Sequence, residues 1–184
     1  VTNNNGRAGA KDGPAHFYKE FEKLKSVIDD KFTFDFQQIE IADSISETHD
    51  LAFKSLSDQI NQSDFSILIG GGHDYAFPHL SGVHKSNPSN QIGCINIDPH
   101  FDLRVSEPKI LSGSPFRMAI ENKVIEGKNL VEFGIGHHCN SKDLWDYARA
   151  KCVEIVPFSA LRKGPKTATF EYVLEKLSQR TDKI

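Results

Sequence analysis

Short apolar segments alternate with longer amphipathic ones along this chain of 184 residues. The short segments are rich in β-branched and aromatic residues, which is typical of strands. They predict strands at 32–41, 65–69, 92–97, 130–134 and 153–156. Two of them, 66–69 and 92–97, are mostly apolar rather than alternating, as expected for strands that are covered on both faces of a sheet.

The longer segments carry apolar residues three and four positions apart, which is the spacing of one helix face. They predict a helix that follows Gly13–Pro14 and further helices at 44–60, 141–150 and 167–177. Ser44 and Glu47 have the spacing of a capping box, which indicates a helix start at Ser44. Strands that alternate with helices of this length predict βαβ units, a largely parallel sheet and a single α/β domain.

Composition and charge narrow the possible partners. The formal net charge is -3 and the basic residues are scattered among acidic ones, so we expect no nucleic-acid partner. No apolar stretch has the length of a membrane span, so we expect no membrane partner. The three cysteines are odd in number and widely spaced, which favours reduced thiols and a cytoplasmic location.

Two polar clusters follow predicted strands, where open α/β sheets bind their ligands. Gly70–Gly71–Gly72–His73 follows the strand at 65–69, and Asp98–Pro99–His100–Phe101–Asp102 follows the strand at 92–97. Side chains two positions apart point to the same side of an extended backbone, so Asp98, His100 and Asp102 are expected to converge. The three glycines allow a neighbouring backbone to bring in His73.

Carboxylates and imidazoles that converge in this way repel one another or stay poorly solvated unless a cation binds. A donor set of this kind without thiolate favours Mn, Fe(II), Co or Zn. A pair of such ions would hold a hydroxide nucleophile at neutral pH.

These two motifs, in this order, resemble those of the ureohydrolase family, which includes arginases, agmatinases and formimidoylglutamases. The resemblance implies an arginase-like, three-layer αβα fold with a mostly parallel sheet, and two Mn²⁺ ions in each intact subunit. It implies that Asp98 bridges both ions, that His73 and Asp102 bind one ion, and that His100 binds the other. Pro99 stands where the family usually has Ala.

The resemblance extends to residues that would contact substrate. Arginases and agmatinases usually have a His where this chain has Ser112. Together with the sequence at 101–104, Ser112 favours formimidoylglutamases, which hydrolyse N-formimidoyl-L-glutamate to L-glutamate and formamide. Arg104 suits a substrate with carboxylates, because a guanidinium can bind a carboxylate through two parallel hydrogen bonds, although a solvated loop arginine fits the sequence equally well.

The loop at 134–141 corresponds to the region where family members contact the amino-acid end of their substrate. It makes His137, His138 and Asn140 further candidates for substrate binding. By the same resemblance, Asp102 is expected to carry a proton toward the leaving amine. The small-molecule substrate is thus an amidine or guanidino compound, and the intact protein is expected to be a homo-oligomer.

One family feature has no counterpart in this sequence. The binuclear centre needs two more aspartates, on an Asp-x-Asp motif at the end of a later strand. We therefore expect residues 1–184 to form a partial domain, truncated at both ends, that lacks this strand and the first strand. Four of the six expected ligands are present in residues 1–184. We therefore predict that the intact protein is a hydrolase and that this fragment alone is inactive.

Three alternatives stay open at this point. An arginase or agmatinase would release urea rather than formamide. A non-catalytic family member would use the same fold for binding or regulation. A phosphoesterase could use the same ligand types, but the sequence has no Gly-rich, phosphate-binding loop at the start of a helix.

Overall fold

A computed structural model of the protein describes residues 6–28 and 31–184. Within these residues three parallel strands form one sheet in the order β1–β2–β3. The strands are β1 (Cys94–Ile97), β2 (Leu130–Ile135) and β3 (Glu154–Pro157). Their positions confirm the three predicted strands at 92–97, 130–134 and 153–156. Gly134 has a φ of 95° at an irregularity in β2, a conformation that costs glycine little.

Seven α-helices surround or precede this sheet in the described part of the chain. They are α1 (Gly13–Leu24), α2 (Ile45–Gln62), α3 (Ala76–Ser86), α4 (Pro115–Glu121), α5 (Lys142–Ala150), α6 (Phe158–Lys163) and α7 (Lys166–Ser178). The four predicted helices are α1, α2, α5 and α7. No helix in these described ranges combines the length and apolarity that a membrane crossing requires.

The start of α2 is where the sequence places it. The Ser44 hydroxyl accepts a hydrogen bond from the Glu47 backbone N–H at 3.1 Å and donates one to the Glu47 carboxylate at 2.9 Å. An N-cap of this kind satisfies a backbone donor that the helix itself leaves unpaired.

Helices cover both faces of the sheet. On one face a large apolar cluster joins the sheet to α3, α4 and α5, and includes the fully buried Phe101, Leu103 and Leu130. On the other face Val131 packs against Val173 and Leu177 of α7. Helix α2 lies outside α3 and packs against it. The result is the α/β class that the sequence predicts, with a parallel sheet between helices.

Two predicted strands are wrong. Residues 32–41 and 65–69 have no regular secondary structure. The aromatic rings of the first segment pack on α1 instead, with Phe34 4.9 Å from Phe21 and Phe36 5.2 Å from Tyr18 between ring centroids. A strand forms only when a neighbour accepts and donates its backbone hydrogen bonds, and an apolar pattern does not identify that neighbour.

Candidate metal centre

Residues 98–102, which hold three of the predicted metal ligands and are named the metal-ligand loop for that prediction, begin directly where β1 ends. The Asp98 N–H donates to the carbonyl of Phe133 at 3.2 Å and so extends the contact with β2 by one residue. Phe101 and Leu103 are fully buried in the main apolar cluster. Because these two residues alternate with the polar ones, the loop presents its acidic side chains away from the core, as the sequence alternation predicts.

Three of the four predicted ligands come together at this edge. The ligand atoms of His73, Asp98 and Asp102 all lie within 4.8 Å of one another. His73 Nδ1 lies 2.6 Å from Asp102 Oδ2. Asp102 has a φ of 49°, in the left-handed region that few residues other than glycine adopt, and such conformations are concentrated at functional sites.

His100, the fourth predicted ligand, lies at the rim of this group rather than within it. Its side chain is about half exposed, and its Nδ1 is 2.8 Å from Asp98 Oδ1. Its backbone N–H donates to the same oxygen at 2.7 Å. The imidazole is therefore held beside Asp98 but does not join the compact set that the other three residues form.

The negative charges at the site favour the binding of a cation. The pKa of His73 is raised by its hydrogen bond to Asp102 and by the negative charges of Asp102, Asp98 and Asp74, although burial opposes the shift. A protonated imidazole offsets the carboxylates, and a divalent cation would offset them more strongly. Carboxylate oxygens and an imidazole nitrogen at these distances fit Mn²⁺ or a similar divalent ion.

A second, buried layer lies beneath the loop, and sequence reasoning missed it. Glu132 of β2 is fully buried and accepts a hydrogen bond from Asn96 Nδ2 at 2.8 Å. Burial raises the pKa of Glu132 well above its ordinary value, and the negative charges of Asp102 and Asp98 add to this, while the hydrogen bond from Asn96 opposes it. The available signal was a single acidic residue inside the apolar strand sequence Leu-Val-Glu-Phe-Gly-Ile.

A buried hydrogen bond between two side chains supports the turn that carries His73. His49 of α2 contacts Asp74 through Nε2 and Oδ2 at 2.7 Å, and both side chains are almost fully buried. Because Asp74 follows His73 directly, this contact fixes the position of the turn relative to α2. The sequence shows both residues but gives no indication that they meet.

One of the predicted substrate residues, Arg104, lines a cleft next to the metal-ligand loop. Arg104 is exposed and lines this cleft together with Cys139 and Ser141. Gly113, which follows the half-buried Ser112, packs so closely that a Cβ there would lie 3.2 Å from Asp102 Oδ1. The loop around Ser112 thus touches both the metal-ligand loop and Arg104.

The other predicted contacts lie after β2. His137 and His138 are exposed, and the His137 ring stacks on Trp145 with 4.6 Å between ring centroids. The Asn140 side chain is bound to backbone groups: it accepts from the Phe101 N–H at 2.9 Å and donates to the carbonyls of Pro99 at 2.8 Å and Gly136 at 2.9 Å. Asn140 therefore holds the metal-ligand loop, and its contact with substrate stays a prediction.

Known proteins resemble this chain in sequence and in fold. The sequence profile of the arginase family matches residues 2–184. The chain belongs to the arginase family. One curated relative is the formimidoylglutamase of Staphylococcus carnosus, which is 34% identical over 158 residues. The matched residues cover 83% of this chain and 48% of that relative. The formimidoylglutamase of Staphylococcus aureus is 34% identical over 161 residues, or 85% and 50% of the two chains.

Solved structures confirm the predicted arginase-like fold. Trypanosoma cruzi formiminoglutamase, solved with Mn²⁺, matches with a TM-score of 0.78 and 29% identity over 92% of this chain and 60% of that one. The formimidoylglutamase of Bacillus subtilis matches with a TM-score of 0.88 over 99% and 60% of the two chains, and at 22% identity it supports the fold alone. The chain spans about half the length of the curated relatives it matches.

Proposed function

We propose that this chain supplies ligands and substrate contacts to a manganese-dependent hydrolase of linear amidines. The proposed reaction converts N-formimidoyl-L-glutamate and water to L-glutamate and formamide. The observation that carries the proposal is the convergence of His73, Asp98 and Asp102 at the carboxyl end of β1, with ligand atoms within 4.8 Å of one another. The formimidoylglutamases at 34% identity and the Trypanosoma cruzi relative solved with Mn²⁺ support the choice of substrate and metal.

Each residue has a part in this mechanism. His73, Asp98 and Asp102 would hold the metal, with His100 joining them from the rim. When bound, the metal supplies the Lewis acidity that makes water a nucleophile at neutral pH. Asp102 is only 12% exposed at its side chain, so a proton held on its carboxylate would be shielded from bulk water and available to the leaving amine.

Substrate recognition in this proposal rests on the cleft beside the metal-ligand loop. The exposed Arg104 guanidinium can bind a substrate carboxylate through two parallel hydrogen bonds. We propose Ser112, His137, His138 and Asn140 as further contacts with the glutamate part of the substrate. Their places on two loops that flank Asp102 and Arg104 support this assignment.

For residues 1–184 alone we propose metal binding with little or no turnover. The four ligand candidates are fewer than the six that the resemblance implies. A centre with fewer ligands can retain one ion, but it does not fix a second ion next to it.

The test has a metal arm and a product arm. Retained Mn²⁺ is measured by mass spectrometry after dialysis of this chain. We expect Asp98→Asn to weaken Mn²⁺ binding by more than about 100-fold, because replacing a metal ligand should reduce the affinity more than replacing a residue that supports one. Asp50→Asn, which neutralises an exposed carboxylate on α2, is the matched control and should bind like the wild type. Equal retention by both variants would contradict the proposed centre.

In the product arm, the gene product at its natural length is loaded with Mn²⁺ and given N-formimidoyl-L-glutamate, L-arginine or agmatine. We expect formamide from the first compound and no urea from the other two. Urea release would favour an arginase or agmatinase. Mn²⁺ binding without any product would favour a non-catalytic family member.

A further inference from the structure

A buried carboxyl lies beneath the metal-ligand loop, in a place where an apolar side chain would be expected. Glu132 is at 0% exposure, and its β2 neighbours Val131 and Phe133 are apolar. Within the described residues, Glu132 Oε2 accepts one hydrogen bond and Oε1 has no partner. Burial of a carboxyl with so few hydrogen bonds is unfavourable, because the group gives up its contacts with water without replacing them. A functional role for Glu132 would explain why a carboxyl occupies this buried position.

Its partner connects it to the metal-ligand loop. Asn96 Nδ2 donates to Glu132 Oε2 at 2.8 Å and to the carbonyl oxygen of His100 at 3.2 Å. An amide nitrogen has two hydrogens, so one side chain can make both bonds at once. Asn96 and Glu132 are direct partners on the paired strands β1 and β2, which sets their separation.

The peptide that Asn96 holds lies between the metal ligands. His100 stands midway between Asp98 and Asp102 in the sequence. Asn140 fixes the two residues on either side of it, through the Pro99 carbonyl and the Phe101 N–H. The bond from Asn96 adds the remaining attachment, from beneath the loop. Metal ligands must be held to within about 0.5 Å of their working positions, which such attachments achieve.

Glu132 also decides which way the Asn96 amide faces. With the carboxyl beside it, the nitrogen end turns toward both acceptors. Without an acceptor at Glu132, the amide could rotate and place its oxygen against the His100 carbonyl, where two acceptors repel. The carboxyl thus acts on the loop through Asn96, without itself touching a ligand.

We propose that Glu132, acting through Asn96, is a positioning residue for the metal-ligand loop. The inference rests on the proposed metal centre, since the loop is relevant to function only if it binds a metal. Its test compares Glu132→Ala, Glu132→Gln and Asn96→Ala with Val131→Ala. Val131 is the matched control because it is equally buried on the same strand but packs on the opposite face, against α7.

Two properties are measured in this chain. Calorimetric titration gives the dissociation constant for Mn²⁺, and hydrogen–deuterium exchange of metal-free protein follows the peptide 98–103. We expect Glu132→Ala and Asn96→Ala each to weaken Mn²⁺ binding by about 10- to 100-fold, the usual effect of losing a residue that supports a metal ligand, and to speed exchange in the loop. Glu132→Gln keeps an acceptor for Asn96 and should stay within about threefold of the wild type in this affinity.

Val131→Ala should lower the melting temperature while leaving both properties of the loop unchanged. Glu132→Ala combined with Asn96→Ala should bind Mn²⁺ no more weakly than Asn96→Ala alone, because residues in one hydrogen-bonded chain are not additive. If Glu132→Ala does not fold, Glu132→Met, which fills similar space but offers Asn96 no oxygen acceptor, replaces it in the comparison.

Three results would each overturn the proposal. The first is that Val131→Ala changes Mn²⁺ affinity and loop exchange as much as Asn96→Ala does. The second is that neither Glu132→Ala nor Asn96→Ala changes the affinity, and the third is that the losses in the double variant are fully additive. A wild type that binds no Mn²⁺ would instead overturn the proposed metal centre. The exchange data would then test the role of Glu132 separately. Faster loop exchange in Glu132→Ala but not in Val131→Ala would support that role, and equal exchange in the two variants would overturn it.

Discussion

Two short segments of this chain have similar sequences and different structures. Ser66–Ile67–Leu68–Ile69 is the more apolar of the two, yet residues 65–69 have no regular secondary structure. Cys94–Ile95–Asn96–Ile97 contains a polar residue and forms β1, where it pairs with β2 from Leu130 to Phe133. The difference shows that β structure here is decided by the neighbour, since the backbone of a strand is satisfied only by another strand.

Burial differs in the same direction between the segment 65–69 and the central strand β2. Phe65 is 80% exposed and Ile67 is 65% exposed, whereas Leu130 and Val131 of β2 are fully buried. Apolar side chains stabilise a fold roughly in proportion to the area they remove from water. The sheet region, residues 92–157, should therefore carry most of the stability, and the preceding region, residues 31–69, should carry less in spite of its aromatic residues.

The largest expected contrast comes from proline substitutions. Val131→Pro removes a ladder hydrogen bond from the central strand, and we expect it to cost more than about 3 kcal/mol in the free energy of unfolding. Ile67→Pro should cost less than about 1 kcal/mol, as for a surface substitution in an irregular segment. Urea unfolding followed by circular dichroism measures both. Equal losses would mean that residues 65–69 are paired in solution, and the contrast between the two regions would fail.

A smaller contrast should come from truncation of two phenylalanines. Phe101→Ala removes a fully buried ring and should cost about 3–5 kcal/mol. Phe34→Ala removes a ring that is 46% exposed and packs edge-on to Phe21, so about 1 kcal/mol is expected. Trp145, whose ring centroid is 4.8 Å from that of Phe101, provides a fluorescence signal for the unfolding transition. A similar loss in both variants would show that the preceding region is packed as tightly as the sheet.

The parts of the fold that the sequence predicts are those with local signals. The cap at Ser44 depends on a residue three positions away, and α1 begins with Pro14 in its first turn, where proline is favoured. Strand pairing depends on residues far away in the sequence, so 32–41 and 65–69 could not be distinguished from the strands that form. Helices α4 and α6, with seven and six residues, are too short for a clear helical periodicity and are absent from the sequence prediction. Helix α3 is absent from it as well, and its 11 residues include Pro78 and Gly82, which weaken a helical pattern.

The same division holds for the candidate site. Asp98 and Asp102 are four residues apart on one loop and His73 belongs to a recognisable motif, so the sequence could bring these three together. Strand alternation also predicts His100 in the group, but the loop bends, with a φ of 49° at Asp102, and His100 lies at the rim of the group. Asn96 and Glu132 are 36 residues apart, and their contact exists only because β1 and β2 pair in register. His49 and Asp74 meet through the packing of two helical elements for which the sequence has no comparable rule.

The smallest expected effect comes from a comparison of two ion pairs. One joins residues of the sheet region that are far apart in the sequence, and the other joins neighbouring residues outside that region. Glu154 of β3 accepts hydrogen bonds from Lys176 at 3.0 Å and Arg180 at 2.9 Å, and so ties the strand to α7 and the residues that follow it. Burial alone would raise the pKa of Glu154, but the hydrogen bonds and positive charges of Arg180 and Lys176 outweigh it and lower the pKa below its ordinary value. Glu20 and Lys23 instead lie three residues apart on the exposed helix α1.

We expect Glu154→Gln to cost about 1 kcal/mol at neutral pH, the upper end for a partly exposed pair. A carboxyl with a lowered folded pKa stabilises the protein fully above its unfolded pKa, about 4.3 for Glu, and this contribution is lost as the pH falls through the folded value. Urea unfolding of wild type and variant between pH 7 and pH 3 should therefore show two curves that differ at neutral pH and converge in acid. Glu20→Gln should follow the wild type throughout, because a local pair between exposed side chains gains little on folding. If the Glu154→Gln curve runs parallel to the wild type down to pH 3, then the lowered pKa of Glu154 does not contribute to the stability of the sheet region.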